Sequence, residues 1–279
     1  MKKNGVVVLL ILLIISVIVG TYLILNKDNK NNSDNNVQDN SEKQDNNTNS
    51  DEPLELTVED LSLANSLIDN FNILKSHFGI INSFGKIYKN GVTLSSDIDN
   101  DLILNLGLYK YVRNNDPFEN LSYVGNDSVV ISAENINESI ISIFGNNIHY
   151  ENADIVPSCM IQASGKYDSS SDTYIFTKSK GCGGALVPSL QSKIVDVKKY
   201  NDYLEITEKI YYIMYDVVDS NRYMLIYDNP TDKNLIVRLP EQDSSVIFDT
   251  YLDKLDSYKY TFKKENANYY FEKLEKLSE

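Results

Sequence analysis

The sequence predicts an α+β fold behind a single N-terminal transmembrane helix. Three observations carry this. Gly5 to Leu25 contains no charged residue. Residues 57–145 contain three segments with apolar residues at helical spacing, and residues 158–277 contain a series of segments with period two, separated by turn signals. Helices first and antiparallel strands afterwards is the order of an α+β domain.

The first element is the apolar leader, and its length decides its reading. Roughly 20 residues cross the hydrocarbon core as a helix, whereas the apolar part of a secretory signal is only about 7–15 residues and ends in small residues. The leader has the longer form, no such cleavage pattern and no cysteine after it to take a lipid. Residues 1–26 therefore read as an anchor. Lys2 and Lys3 precede the span and favour an inside N-terminus, against Lys27 and Lys30 after it. The bulk of the chain is expected outside the cytoplasm.

Residues 27–56 follow, almost all Asn, Asp, Ser, Lys and Glu. Such a segment has no apolar surface to offset the entropy of ordering it, so it reads as a disordered linker. At about 5–6 Å times the square root of its length, it would hold the next domain some ~30 Å from the bilayer. Residues 57–279 then have globular composition and are expected to form one extracytoplasmic α+β domain.

Within that domain, Thr57 and Asp60 form a capping-box pattern before Leu61, Ala64, Ile68, Phe71 and Lys75, with Gly79 as the stop. A second helix starts at Ser96 or Asp97 and carries the stripe Leu102, Leu106, Tyr109 and Val112. A third is capped by Ser132, presents Ile136, Ile140 and Phe144 on one face, and stops at Gly145. Strands then pair as hairpins: around "DSSSD", around Asn201 and Asp202, around "NPTDK" and around "ENAN". A short helix from Ser245 to Asp256 precedes the last hairpin, on which Tyr258, Tyr260 and Phe262 share a face. A curved sheet wrapped by the preceding helices, in the manner of NTF2-like or cystatin-like domains, is the expected architecture.

Chemistry is sparse. The net charge of −14 leaves no basic patch for phosphates, so nucleic acid is not an expected partner. "DIDND" opens like a calcium loop, but Leu102 and Leu108 stand where Gly and Glu belong, and a helix start explains its acids. The two histidines, His77 and His149, and the two cysteines lack metal-site spacing, and "GCGG" lacks the Lys-Ser/Thr of a phosphate loop. No cofactor is implied. A Cys182–His149 dyad has no support in the spacing. Twenty tyrosines read first as strand residues and second as a surface for sugar or peptide.

Cys159 and Cys182 have a plainer role. If Tyr167 pairs with Tyr174 across the "DSSSD" turn, then Gly165 faces Phe176, Ala163 faces Lys178, and Cys159 falls opposite Cys182 on the same face. Opposed cross-strand residues lie about 4.5–5.5 Å apart at Cα, within disulfide range, and an external compartment favours oxidation. A structural disulfide is the expectation.

The succession of "LSSDIDNDLILNLGL", "ISAENINESIISIFGNNIHYENADI", "GKY…TYIF…GCGG" and "YKYTFKKENANYYFEKLE" behind a lysine-led anchor and an Asn-rich tether resembles uncharacterised membrane-anchored extracytoplasmic proteins of low-GC Gram-positive and related bacteria. The resemblance implies location and a shared fold, and it carries no catalytic residue. The expected role is a binding or interaction module at the cell envelope, with the membrane as one partner and an envelope protein, peptide or glycan as the other. The alternative is a divergent hydrolase using carboxylates in a cleft of the sheet. A thiol titration of the unreduced, denatured chain is expected to find no free thiol; two free thiols would end the disulfide reading.

Overall fold

Two antiparallel sheets organise the domain, where the sequence reading expected one. The computed structural model describes residues 52–75, 87–88, 91–118, 128–155, 163–178, 189–218, 221–228, 234–240 and 245–277. The leader, residues 27–51 of the linker, His77, Gly79, Cys159 and Cys182 lie outside these. The expected disulfide and transmembrane helix fall there too. The class is α+β, with antiparallel sheets.

Ten strands are described: β1 (Val92–Leu94), β2 (Ser128–Ser132), β3 (Ala163–Asp168), β4 (Thr173–Lys178), β5 (Ser189–Lys199), β6 (Tyr203–Val218), β7 (Asn221–Tyr227), β8 (Leu235–Pro240), β9 (Asp256–Glu265) and β10 (Asn268–Leu277). The main sheet runs β1-β10-β9-β6-β7-β8, with β5 also on β6; β2, β4 and β3 form a second, three-stranded sheet.

Strand β6 is the axis of the main sheet. Along one edge it pairs with β5. Its other edge is shared end to end, with β9 from Tyr203 to Ile210 and β7 from Tyr212 to Val218. Tyr212 and Ile213 pair with both β5 and β7, which puts those two strands on opposite edges. The sheet therefore forks at Tyr211.

The residue pattern follows the fork. Leu204, Ile206, Glu208 and Ile210 alternate into the main core, and beyond them Tyr211, Tyr212 and Ile213 are all buried. A run buried on both faces loses its alternation. Tyr212 belongs to the main core, while Tyr211 and Ile213 join Met224, Ile226, Ile247 and Leu255 in a small second core. Four α-helices are described: α1 (Val58–Asp69), α2 (Asn100–Asn115), α3 (Ala133–Phe144) and α4 (Ser245–Tyr251). Helix α4 and Leu255 contribute to that second core; the helix expected to reach Asp256 stops at Tyr251, and a 3-10 turn over Leu252–Lys254 leads to Leu255.

Helix α1 begins as expected. Thr57 Oγ1 accepts from Asp60 N at 3.2 Å, and Asp60 Oδ2 accepts from Thr57 N at 2.9 Å. Lys199 Nζ then binds Asp60 Oδ1 at 2.7 Å, fastening the helix start to the end of β5. That ammonium, the largest cause, holds the Asp60 carboxyl below its usual range. The helix ends at Asn70 rather than running to Gly79; the chain tightens into a 3-10 turn over Asn72–Lys75. Leu61 points outward, and Leu67 takes its place on the buried face. Helix α2 starts at Asn100 after Asp99, not at Ser96 or Asp97, because Ser95–Asp97 form their own 3-10 turn. Helix α3 matches its reading: Ser132 Oγ accepts from Glu134 N, and Gly145 has φ +81°.

The second sheet contains the register the sequence proposed. Tyr167 pairs with Tyr174, Gly165 with Phe176 and Ala163 with Lys178. Strands β1 and β2 were not foreseen. Helices α2 and α3 meet where Gly107 lies: a Cβ there would stand 2.3 Å from Ile140 Cγ1 and 3.1 Å from the Ile136 carbonyl oxygen. Gly107→Ala is expected to destabilise the domain by about 1–3 kcal/mol through overpacking, despite alanine's higher helix propensity. Urea unfolding of the variant beside the parent checks this, and a variant at least as stable as the parent would refute the close approach.

Candidate functional site

The face of the main sheet toward the helices is filled rather than hollow. Tyr258, Tyr260 and Phe262 of β9 are each at most 1 % exposed; Tyr260 and Phe262 pack on Phe71, Phe262 also on Phe271, and Tyr258 on Tyr88. Aromatic pairs of this kind contribute about 0.5–1.5 kcal/mol beyond their buried area.

One ionic group is enclosed in this packing. Lys75, three residues after Asn72 in the 3-10 turn, falls over the same spot as Asn72, since side chains at that spacing eclipse. Its Nζ reaches Glu208 Oε1 at 2.5 Å, Ser192 Oγ at 3.1 Å and Asn72 Oδ1 at 3.3 Å. All three donors of the ammonium are thereby used. The other oxygen of Glu208 accepts from Tyr260 OH at 2.9 Å, and the Tyr88 and Tyr260 hydroxyls lie 2.7 Å apart. Burial, and next the charge of Glu208, push both phenols well above their ordinary range, so they stay protonated. Lys75 and Glu208 are 3 % and 1 % exposed. Among the described residues the network is enclosed, and it holds the turn after α1 against the centre of the sheet.

A general acid at neutral pH needs a raised pKa. The carboxyls of Asp60 and Asp168 are held below their ordinary range, the first by the Lys199 ammonium and the second by the Ser170 hydroxyl. Asp97 Oδ2 accepts from Leu94 N at 3.1 Å, so the first acid of "DIDND" serves a local turn, and Asp99 and Asp101 stand at the start of α2. Among the described residues no three His, Cys, Asp or Glu side chains converge to hold a metal. His149 is exposed on the rim of a recess of about 140 Å³ floored by Ile98, Ile103 and Phe144. A wider recess of about 570 Å³ lies between the start of α3 and the β3–β4 turn, beside Glu134, Glu138 and Asp172.

The end of β6 forms a flap with β7 and β8. Ile247 of α4 packs on one of its faces. On the other face, Met214, Tyr223, Leu225 and Tyr227 are half-buried. Arg238 lies over the Tyr223 ring at 4.1 Å and binds Asp216 at 3.0 Å through Nη2. Nothing in the sequence marked this surface beyond the aromatic content of "RYMLIYD". The chain matches no known protein family, no curated protein and no solved structure.

Breaking a buried ion pair on one side leaves an uncompensated charge. Lys75→Met is expected to lower stability by about 3–5 kcal/mol, and adding Glu208→Gln in that background is expected to restore part of the loss. Urea unfolding followed by tyrosine emission measures both, and a Lys75→Met loss under about 1 kcal/mol would show that the pair is not the anchor described.

Proposed function

We propose that this chain is a single-pass, membrane-anchored protein whose outward-facing α+β domain binds a partner at the cell envelope. The observation that carries the reading is the flap: α4 packs on one face, while on the other Tyr223 and Leu225 lie half-buried beyond the main core, which takes Met214 and Tyr227. The filled aromatic face of the main sheet supports binding at a surface over chemistry in a cleft. An apolar face rimmed by polar groups is the usual form of an interaction site on a soluble domain. The uncharged leader and the Asn-rich linker support the anchor and the tether. The same reading takes the main sheet and its helices as a variant of the NTF2-like or cystatin-like arrangement, with Cys159 and Cys182 joined in an external compartment. No described carboxylate pair favours the hydrolase alternative.

The test has two arms, both on the full chain in its own cells. Protease added outside is expected to remove the domain while leaving the leader in the membrane. A photo-crosslinking residue at Leu225 is expected to give a discrete adduct that is missing when the same residue replaces Thr207. A domain protected on intact cells would remove the orientation, and equal labelling from both positions would remove the binding face.

A further inference from the structure

Three strands end the main sheet, and they differ in how their outer edges are protected. An edge strand carries a row of unpaired N–H and C=O groups, and proteins blunt such edges with short length, charge, bulges or cover. Strand β1 is only three residues long. Strand β5 has a bulge between Ile194 and Asp196, carries Lys193, Asp196 and Lys198 in ion pairs, and has its end covered by the Leu54–Lys199 bridge, with Leu54 N donating to Lys199 O at 2.7 Å. Strand β8 is different. It reads Leu-Ile-Val-Arg-Leu-Pro, its irregularity is confined to its start, and among the described residues no strand lies beyond it.

What fits such an edge is set by the backbone. Half of the N–H and C=O groups of β8 point away from β7, and only another extended backbone offers groups at matching spacing. The sides are set by the pleat. Val237 and Leu239, paired with Ile226 and Met224, are part of the α4-side core and half-buried, so a strand laid beside them would extend that core with apolar side chains. Leu235, 54 % exposed, lies at the open start of the edge. Pro240 closes it, since proline cannot donate to a ladder.

Charge then selects between occupants. Arg238 is already balanced by Asp216, so the edge itself is close to neutral. The whole chain carries −14. A second copy would bring the same charge and be repelled, while a cationic segment would be drawn in. We propose that the outer edge of β8 takes an extended, net-cationic segment of a partner protein, with alternating apolar side chains, as an additional strand. This rests on the reading of the domain as a binding module and names the partner's chemistry.

The experiment is amide hydrogen exchange on the full chain in detergent micelles, with the probe acetyl-Lys-Val-Lys-Val-Thr-Val-Lys-amide. Exchange across residues 235–240 is expected to slow about fivefold at saturating probe, with little change in β1. A probe with alternate amides N-methylated, and one with glutamate for each lysine, are each expected to bind at least about tenfold more weakly. Leu235→Lys is exposed enough to fold, and it should weaken the cationic probe while leaving thermal unfolding unchanged. Equal protection by the N-methylated or the glutamate probe, or no protection by the cationic one, overturns the proposal. Protection of β8 that rises with protein concentration alone identifies a second copy as the occupant and also overturns it. If the Leu225 adduct forms in cells while every probe fails, the edge is wrong and the binding module survives.

Discussion

The contact between Lys75 and Glu208 is the constraint from which the main core is organised. An ammonium and a carboxylate withdrawn from water cost several kcal/mol each unless their geometry and remaining hydrogen bonds are nearly complete. Here they are complete: three acceptors around Nζ, and Tyr260 on the second carboxylate oxygen. This demands that the turn after α1, the middle of β5, the middle of β6 and β9 all be in register at once. An apolar core tolerates repacking among similar shapes, whereas a buried charge pair accepts few arrangements. The pair thus selects one docking of the helical segment on the sheet, and the aromatic packing of Phe71, Tyr260, Phe262 and Phe271 fills in around that choice.

The second determinant is the length of β6. Its sixteen residues exceed what β9 can cover, so its far half is free to take β7 on the same edge. Exposing that half on both faces would leave a strip of apolar side chains in water. The main core covers Tyr212, and α4 with Leu255 covers Tyr211 and Ile213. The solution is economical in sequence but incomplete in coverage, because α4 is only seven residues long and packs on one face. Tyr227 still reaches the main core, and the half-buried Tyr223 and Leu225 are what is left over.

Much of this was legible in the residues. Period-two runs bounded by Asn201–Asp202, "NPTDK" and "ENAN" placed three hairpins, and a fourth, at "DSSSD", came out in the register deduced from the turn alone. Ser132 and Gly145 bounded α3 because cap chemistry is local. What escaped was non-local. Strand β1 is too short to show a period, and Ser132 ends β2 while capping α3, which hid the strand behind the helix signal. Without β2 the second sheet could not be seen. Lys75 did fall on the apolar stripe of its helix, and a lysine there is a signal for a buried acid. Glu208, alternating with Ile206 and Ile210, was the matching signal, but the two lie 133 residues apart and nothing local joins them. The surface of the flap was illegible for the same reason, since it depends on which face α4 chooses.

The fork at Tyr211 divides the molecule's cohesion unevenly. Six buried side chains hold the flap to α4, against a far larger set in the main core. Segments with few buried contacts open at a free energy well below that of global unfolding. Because β6 passes through both regions, α4 can lift away while β9 still clamps the near half of the strand. The uneven division favours partial opening on the α4 side first, while Tyr212, Met214 and Tyr227 keep the other face of the flap on the main core.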